Sequence, residues 1–224
     1  MKISAILLFV LMSLPVKAKS PAVTDSAGTA RFLSAGFSAV AYKGSLQSSY
    51  LRWTPAYQAG MLMERRKLLS GYFGIGFGAY TGEDRSYRLP AKADQNLQPA
   101  AAFEGSFFTL HYEARFLLFR YRGFRVQACQ GIGLFRFTVK DREGSRLSEK
   151  PRSRASGEEY SQNSFFFPTS VMLQYRFKNN IGLGFQAGWF NNSSAYLDNM
   201  SQLSLNENRD NLAACRFHFF LPLH

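Results

Sequence analysis

The chain has 224 residues, 46% of them hydrophobic and 16% aromatic, which is enough apolar material for one substantial domain. Two cysteines, Cys129 and Cys215, are too few for a disulfide scaffold, and they read as ordinary wall residues with their pairing left open. The formal charge of +12 is scattered along the chain, where a nucleic-acid-binding stripe would cluster it.

The opening stretch MKISAILLFVLMSLPVKA joins Lys2 to an apolar run from Ala5 to Leu14 and small residues at Val16 and Ala18. This is the pattern of a cleaved secretory signal over residues 1–18, and the run is too short to span a bilayer comfortably as a helix. No cysteine adjoins the cleavage site, so a lipid anchor is not expected, and export argues further against nucleic acid as a partner. The polar lead KSPAVTDSAGTA, residues 19–30, is expected to be a short periplasmic segment before the main domain, residues 31–224. No later stretch is apolar and long enough for a membrane helix.

From there the chain settles into period-two alternation, which predicts strands near 31–43, 49–65, 69–81, 106–121, 124–139, 164–178, 181–190 and 211–221. In the second, Leu51, Trp53, Tyr57, Ala59, Met61 and Met63 oppose Arg52, Thr54, Gln58, Gly60 and Glu64. In the fourth, Phe108, Leu110, Tyr112, Ala114 and Phe116 oppose Thr109, His111, Glu113 and Arg115. Gly123 supplies positive φ for the tight turn that follows. The fifth strand continues the apolar face through Phe124, Val126, Ala128, Ile132 and Leu134, and the misplaced Gln130 predicts a bulge there. The seventh and eighth set Leu183, Phe185, Trp189, Phe217 and Phe219 against Gly184, Gln186, Gly188, Arg216 and His218.

Which face points inward decides the class. The apolar face holds too many large aromatics to fill an eight-stranded interior, while the other is glycine-rich with interspersed charge. Connections alternate as well: short turns near Arg66-Lys67, Arg122-Gly123 and Asn179-Asn180, and long polar loops such as 82–105 and 140–163. A closed barrel satisfies every backbone hydrogen bond in lipid, and roughly ten residues per strand cover an apolar band of about 25 Å. The expectation is an all-β, eight-stranded antiparallel up-and-down transmembrane β-barrel in the Gram-negative outer membrane, with the long loops outside. A soluble periplasmic ligand-binding β-barrel, its faces reversed, is the alternative.

The glycine-rich arms GYFGIGFGAY and NIGLGFQAGWF and the aromatic final strand CRFHFFLPLH resemble those of the small outer-membrane β-barrel family. The pattern is similar to OmpA- and OmpX-type barrels and to PorT-like barrel domains of Bacteroidota. That resemblance implies contact with outer-membrane lipid and lipopolysaccharide, insertion by the barrel-assembly machinery, and a structural or interaction role through surface loops. PorT-like relatives imply an accessory part in a secretion or surface-assembly machine. The chain departs from the family in ending on His224, with Phe219 and Phe220 set back from the end. No peptidoglycan-binding domain is recognisable after the barrel.

Some barrels of this size act on lipid A, so catalysis has to be weighed. His111, His218 and His224 are the histidines, and none stands in a His-x-Ser arrangement. His111, Glu113 and His218 share the inward face and could form a metal or acid–base site. The competing reading is an interior ion-pair network, in which Glu64 and Glu113 neutralise Arg52, Arg115, Arg125, Arg176 and Arg216, because an unpaired charge in a narrow barrel is costly. The second reading is the expectation, with no catalytic, cofactor or metal site. Tyr72, Gln174, Arg176 and Gln186 should close the bore, which disfavours a diffusion porin.

Overall fold

A computed structural model describes residues 29–223, apart from 45, 47–48, 66–67, 85–95, 154–161, 195–196 and 200–209. The expected signal segment, most of the lead that follows it, the turn at Arg66-Lys67, parts of four loops and His224 lie outside the described residues.

Eight strands close in chain order into an antiparallel barrel: β1 (Thr29–Lys43), β2 (Trp53–Arg65), β3 (Leu69–Glu83), β4 (Ala102–Tyr121), β5 (Phe124–Asp141), β6 (Asn163–Arg176), β7 (Gly182–Asn192) and β8 (Asn211–Pro222). β1 pairs with β8 from Phe32↔Pro222 to Lys43↔Asn211, so no sheet edge is left open. Two short turns end on residues in the left-handed region. Arg122 and Gly123 take φ of 44° and 90°, as a two-residue hairpin of the primed type requires, and Asn180 takes 63°. At Gly123 a Cβ would also stand 2.7 Å from the Arg176 carbonyl oxygen, so only glycine fits.

The long connections are shorter than the sequence implies, because β3 and β4 stay paired out to Glu83↔Ala102 and β5 runs on to Asp141. The predicted bulge is displaced. Gln130 keeps register between Ala114 and Thr169, and the irregularity lies between Leu117 and Phe119. The extra residue there turns both Leu118 and Phe119 outward, which continues the apolar exterior to the end of β4.

The faces are not reversed. Leu33, Phe37, Tyr57, Phe73, Phe77, Phe108, Ile132, Leu134, Phe165, Leu173, Trp189 and Phe217 are all exposed, forming a continuous apolar belt that only a bilayer can cover. Inside, the bore divides into two tiers. Toward the short turns it holds Glu64, Glu113, Arg115, Gln127, Gln174, Gln186, Arg216 and His218, all buried. Toward the long loops it holds an aromatic cluster built on Tyr42, Tyr80, Phe103, Phe107, Phe135, Phe137, Phe166 and Phe190. A uniformly small and polar interior, as the alternation implies, holds for neither tier, since Phe32, Leu62, Tyr72, Met172 and Phe220 are buried among the charges of the first.

Candidate functional site

The polar tier is organised around two carboxylates. Glu113 accepts from Arg216 Nη1 at 2.9 Å on one oxygen, and from Arg115 Nη2 at 3.3 Å and Gln186 Nε2 at 3.0 Å on the other. Arg115 also lies 3.9 Å from the centroid of the Tyr72 ring, so the aromatic face shares in holding its charge. Nearer the turns, Glu64 accepts from Arg176 through both oxygens, at 2.7 and 2.6 Å, and from Arg125 at 2.6 Å. The two-pronged Arg176 contact is the geometry a guanidinium makes best. Each carboxylate thus holds two arginines drawn from different strands, and the two nodes cross-brace the barrel.

Arg52 does not join them. β2 begins one residue after it, so Arg52 sits at the loop end, half-exposed, and bonds Glu83 instead. His111 stands beside Glu113, Nε2 to Oε1 at 3.6 Å, and neither of its ring nitrogens has a hydrogen-bond partner among the described residues. Its ring is packed between Tyr72 and Phe166. A Cβ at Gly74 would approach His111 Cε1 to 2.7 Å, so the glycine is what admits the imidazole.

His218 is fully engaged. The Gln186 amide donates to Glu113 and to Ser170 Oγ, and its oxygen lies 3.0 Å from His218 Nε2, which also lies 3.2 Å from Gln58 Nε2. His218 Nδ1 lies 3.2 Å from Ser34 Oγ. A serine on a histidine is the pairing the sequence did not disclose, because the partners lie on β1 and β8 and meet only on closure. Its surroundings differ from those of a catalytic triad. An amide oxygen stands where an orienting carboxylate would, and both side chains are sealed between the aromatic tier and the Glu64 node. His111, Glu113 and His218 do not converge on a common point with a free coordination face, and no group of three or more metal-ligating side chains occurs among the described residues.

The loop end is built differently. Leu46, Leu147 and Leu197 descend from three connections onto the aromatic tier and are buried there. Tyr80 donates to the Leu197 carbonyl at 3.0 Å, and Asn199 donates to Ser153 Oγ at 2.9 Å. The Tyr42 hydroxyl lies 2.7 Å from Asp198 and 2.8 Å from Asp210. It has one hydrogen, so the second contact needs a proton on the carboxyl pair. Burial and the neighbouring Asp198 charge accordingly hold the Asp210 carboxyl well above the usual carboxylate range. Above this lid, Arg52 and Arg142 both bond Glu83, and Lys150 bonds Asp141. A cavity of about 390 Å³ opens at this rim, lined by Arg52, Glu83, Glu104, Lys140, Asp141 and Arg142 among others.

No family model matches the sequence, and a comparison with curated proteins finds no relative. Solved structures match in fold. Ail, the attachment invasion locus protein of Yersinia pestis, solved with the heparin analogue sucrose octasulfate, is 8% identical over 87% of this chain and 99% of its own, with a TM-score of 0.50. Neisserial surface protein A is 12% identical over 88% of this chain and 99% of its own, with a TM-score of 0.55. The chain has the fold of the small outer-membrane β-barrels, and its apolar belt and closed hydrogen bonding suit it to that membrane.

Proposed function

We propose that this chain is a non-enzymatic integral protein of the Gram-negative outer membrane that acts through its loop end, in a structural or interaction role. The observation that carries this reading is the filled bore. Ion pairs occupy one tier and packed aromatics the other, so neither solute passage nor buried chemistry has a route, while charged groups crowd the open rim. Arg52 and Arg142 share the carboxylate of Glu83 yet remain 52% and 61% exposed, so both guanidiniums stay open to an outer anion. Phosphates of the surrounding lipopolysaccharide are the nearest anions of suitable geometry. A protein partner at the same loops, within a secretion or surface-assembly machine, rests on the PorT-like resemblance alone.

The test is the double variant Arg52→Glu/Arg142→Glu in the detergent-folded protein. Its affinity for lipopolysaccharide should fall about tenfold, with the heat-dependent gel shift of a folded barrel intact. Unchanged binding would remove lipopolysaccharide from the reading, and a folded protein with steady conductance in a planar bilayer would overturn the closed bore. Ser34→Ala and His218→Ala should leave lipid A acylation as it is. Altered acylation in either folded variant would favour a lipid-modifying enzyme.

A further inference from the structure

A thread of polar side chains crosses the lipid-facing wall where only apolar ones are expected. Asn211 Nδ2 donates to Asn191 Oδ1 at 3.1 Å, Asn191 Nδ2 donates to Thr169 Oγ1 at 3.1 Å, and Thr169 Oγ1 donates to Gln130 Oε1 at 2.8 Å. The thread begins at the loop end of β8 and finishes at the middle of the belt. The outward residues of β5 run Phe124, Val126, Ala128, Gln130, Ile132, Leu134, and those of β6 run Phe165, Phe167, Thr169, Val171, Leu173. Gln130 and Thr169 are register partners near the centre of both runs, and both are exposed.

The direction of the thread fixes what its end presents. The one hydrogen of the Thr169 hydroxyl goes to Gln130, so the Gln130 oxygen is the acceptor there and its NH₂ group faces the lipid. Among the described residues that group reaches only the Gly131 carbonyl oxygen, at 3.5 Å. A primary amide with unspent donors at mid-membrane is costly unless something polar meets it. The wall around it is low, because Gln130 stands beside Ala114 on β4 and Ala128 on its own strand. The large neighbour Tyr112 leans the other way, over Gly71, where a Cβ would lie 2.5 Å from its hydroxyl.

We propose that Gln130 centres a two-fold contact between two copies of this barrel within the membrane. A carboxamide carries a donor and an acceptor side by side, so two of them related by a two-fold axis satisfy each other with reciprocal N–H···O bonds. Acyl chains offer neither group. The shallow dish of Ala114, Ala128 and Thr169 lets the facing wall approach closely enough for the amides to meet, as small residues do at interfaces in lipid. The hydrogen-bonded thread behind Gln130 polarises its amide and holds it in place.

The experiment is subunit counting by single-molecule photobleaching of the full-length protein in phosphatidylethanolamine–phosphatidylglycerol vesicles over a dilution series. The unsubstituted chain should be dimeric at high density, and Gln130→Leu should shift its dissociation midpoint by about tenfold or more in protein-to-lipid ratio, with Gln130→Asn between them. In a Cys215→Ala background, Ala128→Cys should cross-link to itself on oxidation in the membrane, and Phe37→Cys on β1, across the barrel, should not. Each variant is checked for the heat-dependent gel shift, and if Gln130→Leu fails to fold, the Ala128→Cys cross-link decides alone. A monomer at every density, a dimer indifferent to Gln130→Leu, or an amide-bearing lipid that co-purifies with a monomer and is lost in Gln130→Leu would each overturn the contact.

Discussion

In the turn half of the bore the inward positions of β4, β5 and β8 carry Glu113, Arg115, Arg125 and Arg216; in the loop half the same strands carry Phe103, Phe107, Phe135, Phe137 and Leu212. Both tiers close the barrel, yet they fail in different ways. The polar tier depends on partnership: a buried arginine is tolerable only while its carboxylate is present, and each carboxylate serves two arginines. The aromatic tier depends on volume, since its stacked and edge-on rings, such as Phe107 on Phe135 and Phe166 on Phe190, lose stability in proportion to what is removed. The polar tier therefore fixes which strands meet, and the aromatic tier fills the space between them.

The sharpest way to break that contrast is Glu113→Ala. It strands Arg115 and Arg216 in a fully buried site and should cost about 4 kcal/mol, read as a lowered urea midpoint for the barrel refolded in vesicles. The triple variant Glu113→Leu/Arg115→Met/Arg216→Met removes the charges together and should return close to the starting stability. A triple variant as damaged as the single one would show that the tier contributes attraction and not merely mutual neutralisation. Phe135→Ala comes next, at about 3 kcal/mol, and Phe135→Leu should cost under about 1.5 kcal/mol by the same measurement. Glu64→Gln should cost less again, about 1–2 kcal/mol, because the Arg125 and Arg176 side chains remain 14% and 12% exposed and water can reach them. Equal costs at Glu64 and Glu113 would mean that the turn end is as dry as the middle.

Alternation alone assigned the strands and put Glu64, Glu113, Arg115, Arg125, Arg176, Arg216, His111 and His218 on the inward side, because a pleated strand has no other choice. What alternation leaves undetermined is pairing across the bore. Arg216 reaches Glu113 from β8, and His218 reaches Ser34 on β1 and Gln186 on β7, contacts that exist only once register and closure are set. Arg52 shows the limit at a strand end. It has the right parity for the interior, but the strand starts at Trp53, and beyond that point parity no longer dictates direction. The aromatic tier was missed for a different reason. At Phe107-Phe108, Phe165-Phe166-Phe167 and Trp189-Phe190 both faces are apolar, so the period-two signal vanishes where the core is richest. Loss of alternation at the loop ends of several strands was the available sign of it.

The smallest expected effect tests the seam between the aromatic tier and its lid. The folded-state pKa of Asp210 is raised above its unfolded value of about 3.9, so its contribution is complete below that pH and is lost as pH rises through the folded value. The lid is then tightest in acid and loosens as the medium becomes alkaline, the opposite of what a salt-bridged carboxylate would do. Because loops open as local units, the global midpoint should move by less than about 1 kcal/mol as the medium is taken from acid to alkaline, while protease nicking of the 193–210 connection should rise. Asp210→Asn should suppress that rise, since an amide can still accept from the Leu197 N–H and donate toward Asp198 without gaining charge. If the nicking climbs equally in both proteins, the carboxyl pair does not tie the lid, and the packing of Leu46, Leu147 and Leu197 on the rings is what holds it.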